Sequence, residues 1–351
     1  MLKKHSWFKV VSINLLLVGV VIIGAELVLR VANQAKISIN SPRLALRSIA
    51  SALLNRGGAW SSHLNHGNVH RMPYPYQMFK GAPNTGLHNY LGYRISDPVT
   101  KATLNIALFG GSTGYDGEPP IINLVTAYLN ELRGGAEENF KPLNFSVVSS
   151  NHNQHLHSLV ENYQYYPIDM IIFYGGYNEV LMPAAYGSKP GFPYNFEIRN
   201  NASPEEMLAV KHSELYRSLK SRFGANYDPE PFSEAWSQDI VNNYMSVIST
   251  ARRLSDVLTT GRCKIPFIFV YQPFQMDRQN GGHPSFRSDV HIPIATFADN
   301  SQDGIDASAV LDSSVSEYTD AVHVTQAARE LIARRIYGDD VFLKAIDSCS
   351  K

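Results

Sequence analysis

The sequence contains little cysteine and has no net charge. Its 351 residues include two cysteines, Cys263 and Cys349, and no C-x-x-C pair, which excludes the usual spacing of a structural zinc site. Lys plus Arg and Asp plus Glu both number 31, so the formal net charge is zero. A balanced chain without a basic stripe has no electrostatic basis for binding nucleic acid. The sequence also lacks G-x-G-x-x-G and G-K-[S/T] phosphate loops, which argues against nucleotide binding.

The two cysteines leave two interpretations open. If the protein is exported they could form one disulfide bond, and the alternative is two unrelated thiols. Because the sequence gives no sign that Cys263 and Cys349 lie near each other, we expect unrelated thiols.

An apolar segment near the N-terminus predicts a membrane anchor. Three lysines precede residues 10–25, which carry no charge, and Glu26 and Arg30 then close the segment. A bilayer core needs about 20 helical residues, and this segment just reaches that length. A cleaved signal peptide is the alternative, but the nearest candidates match an A-x-A cleavage site poorly. We therefore expect residues 1–31 to form a cytoplasmic tail and a single-pass anchor in the inner (cytoplasmic) membrane, with the remainder on the periplasmic side.

The rest of the chain predicts a linker followed by one α/β domain. We assign residues 32–100 to a linker and lead-in, and residues 101–345 to the domain, with an insertion at about 183–235. The predicted strands are 105–109, 143–148, 169–174, 266–271 and 308–312, and the predicted helices are 121–133, 155–165, 238–260 and one that begins after Thr325. Strands that alternate with helices predict a parallel sheet covered on both faces, a three-layer α/β/α fold.

Three short motifs near the ends of predicted elements carry the candidate chemistry. Ser112 follows a buried strand and two glycines, which let the backbone turn sharply and expose the hydroxyl. Asp320 lies three residues before His323, where a carboxylate can orient an imidazole base. Asn178 follows the strand at 169–174, and its amide could donate to an oxyanion. Each motif alone fits an ordinary turn or cap, but their combination on one sheet predicts a catalytic site.

These motifs together resemble a known family. GGST at 110–113, GGYN at 175–178 and DAVH at 320–323 resemble blocks I, III and V of the SGNH (GDSL-like) hydrolases. The match is to the membrane-anchored branch in which block I reads GGST. The resemblance covers roughly residues 100–340 and implies the flavodoxin-like SGNH hydrolase fold.

The resemblance also implies a role for each matched residue. Ser112 would be the nucleophile, His323 its base and Asp320 the acid that orients the base. The N–H of Ser112 and the amide of Asn178 would hold the oxyanion, together with an N–H from block II. That N–H usually belongs to a glycine, and the N-x-x-x-x-G pattern places Ser149 there. Ser149 can donate its N–H if its backbone adopts the same turn and its Cβ fits.

The remaining candidate residues are assigned to the substrate cleft or to the surface. The residues expected to line the cleft are Gly111, Thr113, Gly176 and His152. His155 and His157, which share the HNQHLH segment with His152, are expected to be exposed. One helical turn separates His152 from His155, but no carboxylate is suitably spaced, so we predict no metal. The resemblance implies no cofactor.

The resemblance implies an exported, membrane-anchored serine esterase that acts through an acyl-enzyme. The expected substrate is an acylated small molecule or a glycan, with removal of O-acetyl or other acyl groups from the cell envelope or a secreted polysaccharide. An O-acyltransferase with the same triad is one alternative. A non-catalytic SGNH-fold protein that binds glycan or acts as a scaffold is another, because Ser149 replaces the usual glycine.

Overall fold

A computed structural model of the protein defines part of the chain. It describes residues 72–74, 77–81, 83–84, 87–95, 104–133, 140–186, 189–193, 234–259, 263–275, 288–311 and 317–349. The predicted anchor and most of the predicted insertion lie outside these residues, so both stay predictions. Within the described ranges, no helix has the length and apolar character needed to cross a membrane.

The described residues fold into alternating strands and helices. The strands are β1 (Met72–Tyr74), β2 (Met78–Lys80), β3 (Leu104–Gly110), β4 (Phe140–Asn144), β5 (Met170–Gly175), β6 (Phe267–Tyr271) and β7 (Gly304–Asp306). The helices are α1 (Ser112–Tyr115), α2 (Ile121–Arg133), α3 (His152–Asn162), α4 (Tyr177–Tyr186), α5 (Glu234–Val257), α6 (Ser288–Asn300), α7 (Gln326–Tyr337) and α8 (Asp340–Cys349).

One parallel sheet organises the domain. Its strand order is β4–β3–β5–β6–β7, and every neighbouring pair is parallel. The chain starts in β3, adds β4 on one side and then crosses to β5 on the other. The order therefore reverses between β3 and β5, and in such sheets ligands bind at that switch point, outside the carboxyl ends of the strands. The predicted parallel sheet is confirmed.

Helices cover both faces of the sheet, as predicted, and the alternation of side chains along the strands explains why. Phe109 and Phe173 point into the core shared with α3, α4, α5 and α6. Their neighbours Leu108 and Ile172 point into the core shared with α2, α7 and α8. All four side chains are fully buried. Strands that are apolar on both faces require cover on both faces, which gives the three-layer arrangement.

Two predicted boundaries differ from the structure. α3 begins at His152, three residues before the predicted start, because Asn151 and Gln154 form a reciprocal capping box. β4 spans Phe140–Asn144 instead of 143–148. It lies at the edge of the sheet, where Pro142 can be accommodated without losing an interior hydrogen bond.

Four other parts of the fold differ from the prediction: the last strand, α6, α8 and the β1–β2 hairpin. The last strand is β7, whereas the predicted segment 308–312 contains no strand in its described part, 308–311. Its backbone turns because Ser308 donates its N–H to the Asp306 carboxylate over 2.8 Å. α6 and α8 were not predicted, and α6 contains Pro293, a residue that usually marks a helix end. The β1–β2 hairpin lies in the segment predicted to be a linker.

A disulfide bond joins Cys263 to Cys349, so the expectation of two unrelated thiols is wrong. Their Cα atoms lie 5.3 Å apart, and they are 86 residues apart in the chain. The amphipathic helix α8 buries Phe342 and Ile346 and thereby brings its terminal cysteine to the segment that precedes β6. Packing of a helix on a sheet, which local sequence does not reveal, creates this proximity.

Candidate active site

The switch point of the sheet brings the predicted motifs together. β3 ends at Gly110, immediately before Gly111 and Ser112. β5 ends at Gly175, and α4 begins two residues later at Tyr177, with Asn178 in its first turn. Gly110 and Tyr174 are register partners, so the two turns leave the sheet side by side.

Buried polar contacts hold the turn that presents Ser112. Ser112 is the first residue of α1, a single helical turn. The Asn144 side chain donates to the Gly114 carbonyl over 3.0 Å and accepts the Ser146 N–H over 3.0 Å. On the other side, the Thr113 hydroxyl donates to the Gln272 side chain over 3.1 Å. These contacts fix α1 to the strands on both sides of it.

Ser112, His323 and Asp320 form a continuous chain of hydrogen bonds. His323 Nε2 lies 2.8 Å from Ser112 Oγ, and His323 Nδ1 lies 2.6 Å from Asp320 Oδ2. The serine and the histidine are 211 residues apart in sequence. A hydroxyl, an imidazole and a carboxylate in this order are the groups that activate a serine nucleophile.

The loop that carries Asp320 and His323 is fixed by its own backbone. Asp320 Oδ1 accepts the N–H of Val322 over 2.9 Å and the N–H of His323 over 2.8 Å. The Thr319 N–H donates to the His323 carbonyl over 2.7 Å, and the Gln275 N–H donates to the Ala321 carbonyl over 2.9 Å. This hydrogen-bonded turn therefore brings the side chains of Asp320 and His323, three residues apart in sequence, into contact.

The same contacts shift the ionisation of Asp320. Partial burial acts to raise its pKa, but this effect is outweighed by the two backbone N–H groups and by the hydrogen bond and charge of the imidazole. The net pKa lies below the usual value for aspartate. Asp320 is therefore a carboxylate at neutral pH, as an acceptor that orients an imidazolium must be.

A second carboxylate, which we did not predict, also lies beside the imidazole. Asp116 Oδ2 is 3.4 Å from His323 Nε2, and the Asp116 side chain is 44% exposed. Asp116 ends the turn of α1, and its N–H donates to the Ser112 carbonyl over 2.8 Å. One helical turn separates it from the serine, a spacing that could have revealed it in the sequence. Its carboxylate lies beside the imidazole nitrogen that contacts Ser112.

Ser149 adopts the backbone conformation that its sequence position demands. Its φ is +65°, in the left-handed region that glycine usually occupies. The side chain is partly exposed, so its Cβ is accommodated in this conformation. Ser149 therefore adopts the turn conformation that we expected at this position.

Asn178 lies against the same turn. Its Nδ2 donates to the Ser150 carbonyl over 2.7 Å, which leaves the second N–H of the amide for another acceptor. A Cβ added to Gly111 would lie 2.6 Å from Asn178 Nδ2, so the amide packs directly beside the residue that precedes Ser112. Asn178 thus lies against Gly111 and Ser150, the residues adjacent to the other two predicted oxyanion donors, Ser112 and Ser149.

The predicted cleft residues are located differently from our expectation. Gly111, Thr113, Gly176 and His152 are all buried. Gly176 has φ +120° and packs against the Tyr271 ring, where a Cβ would overlap it. Thr113 points to Gln272, and His152 is 0% exposed. Thr113, Gly176 and His152 therefore pack beneath the surface of the site and do not line it. Gly111 leaves the space that the Asn178 amide occupies.

The histidine-rich segment also departs from the prediction. His157 is exposed, as expected, but His155 is 2% exposed and was expected on the surface. The early start of α3 turns His152 and His155 toward the sheet, where their rings pack around Phe173. The described part of the chain contains no cluster of three or more His, Cys, Asp or Glu side chains that could hold a metal ion.

Comparison with known proteins finds likeness in fold only. No family model and no curated sequence matches the chain. Among solved structures, the acetyl xylan esterase AlAXEase shares 12% identity over 67% of this chain and 98% of its own, with a TM-score of 0.41. A lipase/acylhydrolase from Enterococcus faecalis shares 16% identity over 67% and 96%, with a TM-score of 0.38. TesA shares 11% identity over 67% and 96%, with a TM-score of 0.36. At these values the likeness carries no information on substrate.

Proposed function

We propose that the protein is a serine ester hydrolase in which Ser112 forms an acyl-enzyme. The observation that carries this proposal is the unbroken hydrogen-bonded sequence from Ser112 Oγ through His323 to Asp320 Oδ2. It lies at the carboxyl edge of a parallel sheet, the expected place for catalysis in this fold class. The predicted oxyanion donors Ser149 and Asn178 lie in the neighbouring segments that follow β4 and β5.

The reaction follows from the positions of these groups. As Ser112 Oγ attacks the ester carbonyl carbon, its proton passes to His323 Nε2. Asp320 stabilises the imidazolium that results. The negative oxygen of the tetrahedral intermediate receives hydrogen bonds from the N–H groups of Ser112 and Ser149 and from the Asn178 amide. The imidazolium then returns its proton to the alcohol oxygen as the carbon–oxygen bond breaks. Water, activated by the same imidazole, hydrolyses the acyl-serine and releases a carboxylic acid.

The proposal is tested by acetyl transfer from a chromogenic ester. Full-length protein should release p-nitrophenol from p-nitrophenyl acetate, and Ser112→Ala should abolish the release. Acetate should appear in equal amount if water is the acceptor. A transferase would instead leave the acetyl group on an added oligosaccharide, so the same reaction analysed by mass spectrometry separates the two activities. Equal release by the wild type and Ser112→Ala would contradict the proposal.

We also propose that the hydrolase domain faces the periplasm from a single-pass anchor and acts on acylated glycans of the cell envelope. The basic and apolar pattern of residues 1–31 supports the anchor. The disulfide between Cys263 and Cys349 supports an oxidising compartment. Alkaline phosphatase fused after Lys351 should be active in intact cells, whereas the same fusion lacking residues 1–31 should be inactive. An inactive full-length fusion of normal abundance would contradict this location.

A further inference from the structure

Two buried histidines have no role in the reaction described above. His152 opens α3, and its ring is enclosed by Phe173 and Tyr244, with centroids 5.6 and 5.1 Å away. Its Nδ1 lies 2.9 Å from Nδ1 of His155. On the far side of that second ring, His155 Nε2 lies 2.8 Å from Ser150 Oγ. The two rings therefore form a hydrogen-bonded path to the turn that contains Ser149.

The direction of these hydrogen bonds follows from the available protons. Ser150 Oγ contacts the Gly110 carbonyl over 2.9 Å and the Val147 carbonyl over 2.7 Å, and neither oxygen can donate, so the single hydroxyl proton is used there. His155 Nε2–H must then donate to Ser150 Oγ, which makes its Nδ1 an acceptor for His152 Nδ1–H. Burial lowers the pKa of both histidines to about 3, so both rings are neutral at physiological pH.

Glu179 closes the path at its other end. Its Oε1 accepts the backbone N–H of His152 over 2.6 Å and lies 3.4 Å from the Nδ1 of that ring. Its Oε2 accepts the N–H of Gly176 over 2.9 Å. The carboxyl is 2% exposed. One side chain thus joins the first turn of α3 to the first turn of α4, which are 27 residues apart in sequence.

Two of the three predicted oxyanion donors, Ser149 and Asn178, are adjacent in the chain to residues of this path. Ser149 precedes Ser150, whose hydroxyl is held by His155. Asn178 precedes Glu179, and its amide is held by the Ser150 carbonyl over 2.7 Å. A shift of either turn would therefore move one donor relative to the other. The left-handed conformation of Ser149 adds strain that these contacts must hold.

We propose that Glu179 and His155 are positioning residues of the oxyanion hole, which fix the Ser149 N–H and the Asn178 amide on one oxygen. This inference rests on the proposed esterase function, because it gives these two side chains a role only if Ser112 generates an oxyanion. Neither residue touches the substrate. Both act through the turns that they join.

The expected effect is on the transition state and not on binding of the ester. Removal of a whole oxyanion donor costs about 10²–10³ in kcat, so a displaced donor should cost roughly 10–100-fold. In Glu179→Gln, the amide oxygen can accept a hydrogen bond from the N–H of either His152 or Gly176. The NH₂ group then faces the other N–H, and two donors cannot bond to each other. We expect kcat to fall 10–100-fold while KM changes less than about twofold.

A double-mutant cycle separates positioning from general damage. If Glu179 acts by holding Asn178, then Glu179→Gln should reduce kcat much less in an Asn178→Ala background than in the wild type. Ser158→Ala is the control for loss of a buried polar group, since its hydroxyl lies on α3, the helix that carries His155, and contacts Tyr93 over 3.1 Å, away from the site. It should lower thermal stability without changing kcat.

A second pair of variants tests the histidine independently. In His155→Gln, the side-chain NH₂ can replace Nε2–H as donor to Ser150, whereas His155→Ala cannot. We expect His155→Gln to retain most of the kcat that His155→Ala loses, at similar folded content by circular dichroism. If Glu179→Gln does not fold, this pair decides the matter alone.

The outcomes distinguish the two proposals. The positioning role would be overturned if Glu179→Gln and Asn178→Ala reduced kcat independently, so that their factors multiplied in the double variant. It would also be overturned if His155→Gln and His155→Ala lost kcat equally. In both cases Ser112-dependent activity would remain. A folded wild-type protein without esterase activity would overturn the proposed function and this inference together.

Discussion

The two halves of the candidate site are built in opposite ways. Asp320 and His323 lie in an exposed loop, and their side chains are 55% and 30% exposed. His155 and Glu179 are almost wholly buried, and their partners belong to other elements of the fold. The exposed half is shaped mostly by hydrogen bonds within one short loop, with one more from the Gln275 N–H to the Ala321 carbonyl. The buried half depends on how helices pack on the sheet. Substitutions should therefore affect rate alone in the first half and both rate and stability in the second.

The largest expected effect belongs to the exposed half. His323→Ala removes the base, and loss of a triad member typically costs about 10⁴–10⁶ in kcat. Because the imidazole is partly exposed, the free energy of unfolding should change by less than about 1 kcal/mol. Turnover of p-nitrophenyl acetate and urea unfolding measure the two quantities. A loss of several kcal/mol in stability would show that the two halves are not independent.

The buried half should show itself in the pH dependence of stability. Folded His152 and His155 have pKa values of about 3, whereas the unfolded value is about 6.5, so the unfolded chain binds protons that the folded chain excludes. Stability is complete above pH 6.5 and falls as the pH drops toward 3. Between pH 7 and pH 5, each histidine should lower the free energy of unfolding by about 2 kcal/mol. Burial raises the pKa of Glu179, which has the opposite sign and offsets part of this loss.

His155→Gln isolates that contribution. Urea unfolding at pH 7 and pH 5 should show a smaller loss of stability on acidification in His155→Gln than in the wild type, by about 2 kcal/mol. The other titrating groups are common to both proteins and cancel in the comparison. Equal losses in the two proteins would contradict the neutral, buried state of His155.

A smaller effect should come from Asp116, at the open edge of the site. Its carboxylate lies 3.4 Å from His323 Nε2 and stabilises the imidazolium that forms during attack. Asp116→Asn should lower kcat/KM by roughly 3–10-fold, a modest factor because water screens a half-exposed charge. The ratio of wild-type to variant kcat/KM should shrink between 20 mM and 1 M NaCl. A ratio that does not respond to salt would mean that the charge of Asp116 is not what matters.

The smallest expected change is a gain in stability. Ser149 holds φ +65°, which costs an L-residue about 1 kcal/mol relative to glycine. Ser149→Gly should therefore raise the free energy of unfolding by up to about 1 kcal/mol and leave kcat within a factor of about two, because the N–H stays in place. Thermal unfolding and ester turnover test both parts. A large fall in kcat would show that the serine side chain itself takes part.

The sequence predicted those parts of the site that local structure determines. Ser112 lies two residues after the end of β3, and one turn contains both Asp320 and His323. These motifs are local in sequence, so their combination and their resemblance to a known family revealed them. His155 and Glu179 could not be found in this way, because their partners are made adjacent by the packing of α3 on β5. The same reason explains Cys263 and Cys349, which only the docking of α8 brings together.

The fold shows the same division. The apolar strands β3, β5 and β6 were predicted closely because they are buried on both faces and carry a strong signal. β7 was missed because Gly304 reads as a turn. In the structure that glycine lies where a Cβ would overlap the Ala298 carbonyl, so close packing against α6 requires it. That requirement exists only in three dimensions.

Covalent labelling of the nucleophile tests the central claim most directly. A fluorophosphonate probe reacts with a serine that a neighbouring base activates, and tandem mass spectrometry of the digested, full-length protein locates the adduct. The account predicts a single adduct on Ser112 in the wild type, and none at this serine in His323→Ala. A folded protein that remains unlabelled, or an adduct on a different serine, would contradict it.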